Sequence, residues 1–103
     1  MKKSDKKTEN SIRVALTDAC EIALEEIDGF KWITHYVSYN NFPGSLSIIC
    51  VFEDTESLVT ANKSGEDRIL IDLIQEKLAS QKIVIKNIKS TVSFNTVENI
   101  KSH

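Results

Sequence analysis

Few groups in this chain could do chemistry: two histidines, His35 and His103, two cysteines, Cys20 and Cys50, and adjacent carboxylates such as Glu25-Glu26 and Glu53-Asp54. Structural zinc requires four ligands at close spacing, and no Cys-x-x-Cys or His-x-x-x-His pair occurs, so no metal is expected. A Cys50 and His35 nucleophile pair needs both side chains on one sheet face. The hairpin register derived below sets them on opposite faces. Cys50 then reads as a small buried hydrophobe, and His35 as an edge or interface residue whose protonation would make association pH-sensitive. The glycines Gly29, Gly44 and Gly65 are widely separated, which excludes a phosphate-cradling loop, and no Ser-centred nucleophile elbow exists. Adjacent acids on helices and loops read as solvated charge. No cofactor is implied, and an enzyme finds no support.

The remaining candidates are surfaces. Phe30, Trp32, Tyr36, Tyr39 and Phe42 crowd into one short stretch, and Trp and Tyr offer large contact area at small entropic cost. Either Trp32 and Tyr36 fill the core while Tyr39 and Phe42 pack the hairpin tip, or the group forms a recognition surface with Phe42-Pro43 at its exposed end. Lys82, Lys86 and Lys89, with the lysines of residues 1–7, would contact phosphates if they converge in space.

The elements that position these residues follow from periodicity. Residues 1–10 lack an apolar anchor and read as a disordered basic arm. From Ser11, Ile12, Leu16, Ala19, Ala23 and Ile27 recur at helical spacing up to a left-handed cap at Gly29. Residues 30–39 and 45–52 are β-branched and aromatic around Asn40-Asn41-Phe42-Pro43-Gly44, which is a hairpin pattern. Pairing Tyr39 with Ser45 sets Trp32 opposite Phe52, Thr34 opposite Cys50 and Tyr36 opposite Ile48. Ile33, Val51, His35, Ile49 and Val37 then share the second face. A short helical turn over 57–61 with Asp54 as its cap precedes a helix over 65–80, read with Ser64 as cap and Asp67 completing a capping box. Ile69 and Ile71 widen the apolar arc of that helix toward burial on more than one side. Lys82 to Ile88 reads as a central strand, residues 91–95 as a further short one, and 97–103 as a frayed tail or a single turn. The fold class is α+β, one domain over 11–96, with a small antiparallel or mixed sheet and two main helices on one face. Two helices cover one sheet face, so the second face, with Ile33, Val37, Ile49 and Val51, calls for a homodimer or a protein partner.

Composition bounds the function classes. The 103 residues carry a net charge of -2 and 41% hydrophobic side chains, so no overall basic field exists to hold nucleic acid or an anionic membrane. The helical segments are acidic and both ends basic. No apolar stretch follows the first lysines, and no run reaches the ~20 residues of a membrane span. Two cysteines without an export pattern read as reduced thiols in the cytoplasm.

The order helix, strand, strand, helix, helix, strand is similar to that of KH type II domains, which implies RNA or ribosome binding. The stretch corresponding to their Gly-x-x-Gly loop, Ala61-Asn62-Lys63-Ser64-Gly65-Glu66, carries one glycine. Separately, Gly29-Phe30-Lys31-Trp32-Ile33-Thr34-His35, Phe42-Pro43, Ser45-Leu46 and Cys50-Val51-Phe52 resemble a pattern in small bacterial proteins, some labelled Fis-type regulators. That resemblance spans most of residues 15–95 and implies no particular activity. The expected role is therefore a protein-interaction or regulatory domain that self-associates through a sheet face, at Ile33, His35, Val37, Tyr39, Phe42, Ile49 and Val51. Weak RNA binding through Lys82, Lys86 and Lys89 is the alternative.

Overall fold

In the computed structural model, which describes residues 3–37 and 45–101, the alanine-rich apolar stripe of the first helix sets the architecture. Helix α1 (Lys3–Glu26) buries Ile12, Ala15, Leu16, Ala19 and Ala23, and Ile27 just beyond its end. Three alanines on that stripe let α1 lie close against its neighbours, the third helix and the first strand. It begins at Lys3, so residues 3–10, read as an arm, supply its first turns. Glu9 in those turns reaches both Arg13 and His35.

Strands β1 (Phe30–Tyr36) and β2 (Ser47–Phe52) pair antiparallel, and β3 (Val92–Thr96) joins the other side of β2 in parallel. The sheet order is β1-β2-β3, with β2 central and β1 at an edge. Between the hairpin strands lie Tyr39, Phe42 and the rest of residues 38–44, outside the described residues. The β1–β2 register corrects the expected one. Phe30 faces Phe52, an irregularity follows, and Trp32 then faces Val51, Ile33 Cys50, Thr34 Ile49 and His35 Ile48. One extra residue at Lys31 is a bulge, and it swaps the faces of everything beyond it. Alternation could not fix this in advance, because both parities of Phe-Lys-Trp-Ile-Thr-His-Tyr contain apolar side chains.

The face turned to the helices thus carries Phe30, Ile33 and His35, then Ile48, Cys50 and Phe52, then Val92, Phe94 and Thr96. Phe52, fully buried, holds Phe30 edge-on at 5.8 Å between ring centroids and Phe94 at 6.3 Å. Helix α2 (Thr55–Ser64) starts where the Asp54 carboxylate accepts from the Ser57 N–H at 2.8 Å, as the sequence suggests, but runs longer than the expected turn. Gly65, at φ 83°, ends α2 and begins α3 (Glu66–Ser80). The expected capping box is therefore absent: Ser64 belongs to α2, and its hydroxyl donates to the Ala61 carbonyl and to Glu66. On α3, Leu70, Ile74 and Leu78 are fully buried and Ile71 and Leu73 pack half-buried against the core, whereas Ile69 is 51% exposed, so the apolar arc widens at Ile71 but not at Ile69.

Residues 82–88 form no strand. Ile83, Ile85 and Ile88 are buried and Val84 is 73% exposed, an in-out alternation that an extended loop across the core satisfies as well as a sheet ladder does. The short helix α4 (Ile88–Thr91) follows, and the third strand is the one read as optional, at Val92–Thr96. The final element, α5 (Val97–Lys101), is the single helical turn that the sequence allows beside a frayed end, with Thr96 Oγ1 accepting from the Asn99 N–H. The α+β class and the order α-β-β-α-α-β stand.

Candidate interaction surface

The corrected register redistributes the proposed contact residues. Ile33 and Val37 are half-buried against the main core on the helix side, not on the second face. Ile49 and Val51 do lie on the face turned away from it, but Val51 is already fully buried within the chain. Its neighbour Asn95 on β3 accepts from Asn99 Nδ2 at 2.7 Å, which brings α5 to that corner. The broad uncovered apolar face inferred from sequence is therefore smaller than expected. What stays open is at β1: Trp32 is 41% exposed and Tyr36 64%, with Thr34 between them. Along that face the positions Trp32, Thr34, Tyr36, Ser47, Ile49, Val51, Ser93 and Asn95 include no charged side chain.

Beside β1, on the helix side, runs a groove of about 310 Å³ lined by Arg13, Leu16, Thr17, Cys20 and Glu21 of α1 and by Ile33 and His35. Glu9 closes one end. Its Oε1 accepts from Arg13 Nε at 3.1 Å and lies 3.2 Å from His35 Nε2, so α1 holds the outer part of β1 through one carboxylate. Sequence periodicity could not have found this contact, because Glu9 fell in the stretch read as an arm.

The cysteines show what the groove does not do. Cys50 and His35 share a face, contrary to the expected register, but Cys50 is fully buried and burial pushes its thiol up to about 12. At neutral pH it is no nucleophile. Cys20 is half-exposed at the groove; burial raises its thiol, partly offset by a hydrogen bond from the Ile33 backbone, and nearby Glu21 raises it further. A thiol reagent applied to the native protein is expected to modify Cys20 well before Cys50. Equal rates at both, read by mass spectrometry of the labelled peptides, would contradict the buried placement of Cys50.

Lys82 lines a groove with Lys7, while Lys89 lines another with Asp67, Arg68 and Asp72. Among the described residues, no three His, Cys, Asp or Glu side chains are placed to hold a metal ion, and no helix is long and apolar enough to cross a membrane. No family model, no curated protein and no solved structure matches the chain.

Proposed function

We propose that this chain is a non-enzymatic protein-interaction domain that self-associates through the β1 side of its sheet. One observation carries the reading: an edge strand presents Trp32 and Tyr36, both exposed, on a stretch of sheet face without charge between them, the Lys31–Glu53 ion pair lying at its end. Aromatic side chains left in water forgo about 25 cal/mol per Å² of apolar area, and pairing two copies recovers it at both. An uncharged surface also meets its own copy without repulsion, which a two-fold interface requires. The free thiols at Cys20 and Cys50 suit a reducing compartment such as the cytoplasm.

Size exclusion with light scattering tests the reading, with absorbance recorded for protein and nucleic acid together. A particle of twice the 11.6 kDa chain mass, free of nucleic acid, is expected. A monomer at all concentrations would contradict it, and a monomer carrying RNA would replace it with the nucleic-acid alternative. The Trp32→Lys, Tyr36→Lys double variant is expected to run as a monomer with a wild-type thermal melt, because both side chains already face water.

A further inference from the structure

The hydrogen-bond facing of β1 bears on how two copies would meet, given the self-association proposed above. In a strand, a residue's N–H and C=O point to the same side, and successive residues alternate. Glu53 N–H donates to the Gly29 carbonyl at 2.7 Å, so Glu53 faces β1, and with it Val51, Ile49 and Ser47. Their partners Trp32, Thr34 and Tyr36 turn their backbone groups inward to β2. Ile33 and His35 therefore direct their N–H and C=O groups away from the sheet, along the open edge.

We infer that β1 pairs antiparallel with β1 of a second copy about a two-fold axis at Thr34, joining the two three-stranded sheets into one continuous sheet. About that axis Ile33 lies opposite the second copy's His35 and exchanges both backbone hydrogen bonds with it, and His35 does the same with the second copy's Ile33. Among two-fold registers that pair only residues of β1, this one alone uses both Ile33 and His35 twice; an axis at His35 would instead need Val37, beyond the strand's end. On the open face, the same axis sets Trp32 opposite the second copy's Tyr36, an aromatic cross-strand pair in which the two exposed side chains pack against each other.

Natural edge strands are guarded by charge, proline or a bulge. Among the described residues, the bulge at Lys31 guards one end and Cys20 of α1 occupies the Ile33 amide, while the run from Trp32 to Tyr36 has no charged or proline residue. The only basic group in it, the His35 imidazole, is turned to the helix side and held by Glu9. The Ile33 amide now rests on Cys20, and sulfur is a weak acceptor that a carbonyl oxygen readily replaces.

Charge on α1 identifies a second copy as the occupant. Arg13 and Glu21 line the groove beside β1 on either side of Thr17, two helical turns or about 12 Å apart. A two-fold axis passing between the copies lays their α1 helices antiparallel on one side of the joined sheet. It thereby brings Arg13 of each copy toward Glu21 of the other, so the groove is complementary to itself in charge.

Thr34→Cys in a Cys20→Ser background tests the register. Thr34 meets its own copy in a non-hydrogen-bonded pair, with Cα atoms about 4.5 Å apart, inside the range a disulfide spans. Mild oxidation is expected to convert most of the protein to a disulfide-linked dimer, while Tyr36→Cys links poorly to itself but readily to Trp32→Cys in a mixture. Glu21→Arg is expected to weaken the dimer about tenfold, and Arg13→Glu combined with Glu21→Arg to restore it. A light-scattering dimer in which Thr34→Cys stays unlinked, or in which the charge exchange fails to restore affinity, overturns this register and leaves self-association standing. A wild-type monomer overturns both. Wild-type melting of each variant separates these outcomes from misfolding.

Discussion

Phe52→Ala is expected to cost about 3–5 kcal/mol, the upper range for a core truncation. Phe52 is fully buried on the central strand, with Phe30 edge-on at 5.8 Å and Phe94 at 6.3 Å, so truncation empties a position against which both neighbouring strands pack an aromatic ring. Neither neighbour collapses into the gap without leaving its own strand. A chain of this length is held by roughly 5–15 kcal/mol in total, so the variant sits at the margin of folding. Its melting temperature is expected to fall by more than about 12 °C, while Phe52→Leu, which retains most of the volume, falls much less. A Phe52→Ala melt within a few degrees of wild type would mean that the aromatic row across the sheet is not the centre of the core.

Gly29→Ala follows, at about 2–4 kcal/mol. Gly29 sits at φ 81°, where a Cβ costs roughly 1–2 kcal/mol, and a Cβ there would also meet Ser57 Cβ and Oγ at 2.5 Å. Ser57 is fixed, because its N–H is the donor that Asp54 accepts to start α2. Both the turn into β1 and the start of α2 must shift to admit one methyl group. Gly65 provides the comparison: its φ is 83°, yet a Cβ there meets nothing within 4 Å, so Gly65→Ala bears the backbone strain alone. The difference between the two variants in urea unfolding isolates the contact with Ser57. Equal losses would show that Gly29 is required by its backbone angle only.

Much of this architecture is legible in the sequence, and the exceptions share physical causes. The α1 stripe from Ile12 to Ile27 and the α3 stripe of Leu70, Ile74 and Leu78 are long periodic patterns, and both helices bury those residues. Asp54 is an N-cap by residue type, and it caps α2. The hairpin register is not readable in the same way. The Lys31 bulge depends on how Phe30, Ile33 and His35 jointly fill the space under α1, a tertiary choice that strand propensity does not encode. Residues 82–88 read as a strand because Ile83-Val84-Ile85 is β-branched, but burial of Ile83 and Ile85 meets the same apolar demand without a ladder. Val92–Thr96 then takes the place beside β2.

For the candidate surface, the sequence assigned the faces of β1 wrongly. Ile33 and Val37 belong to the core side and Val51 is covered by its own chain, so the open surface narrows to Trp32, Thr34 and Tyr36. The Glu9 contact to His35 stayed hidden because it joins residues far apart in sequence, through a turn of helix with no apolar signature.

Amide hydrogen exchange at His35 and Ile33, followed as the protein is diluted, tests association through β1 most directly. Both amides face the open edge, so pairing is expected to slow their exchange at high concentration, His35 most clearly because Cys20 already shields Ile33 in part. Thr34 and Tyr36, whose amides are engaged by β2, are expected to stay equally protected throughout. Exchange at His35 that is fast and independent of concentration would contradict association through this strand.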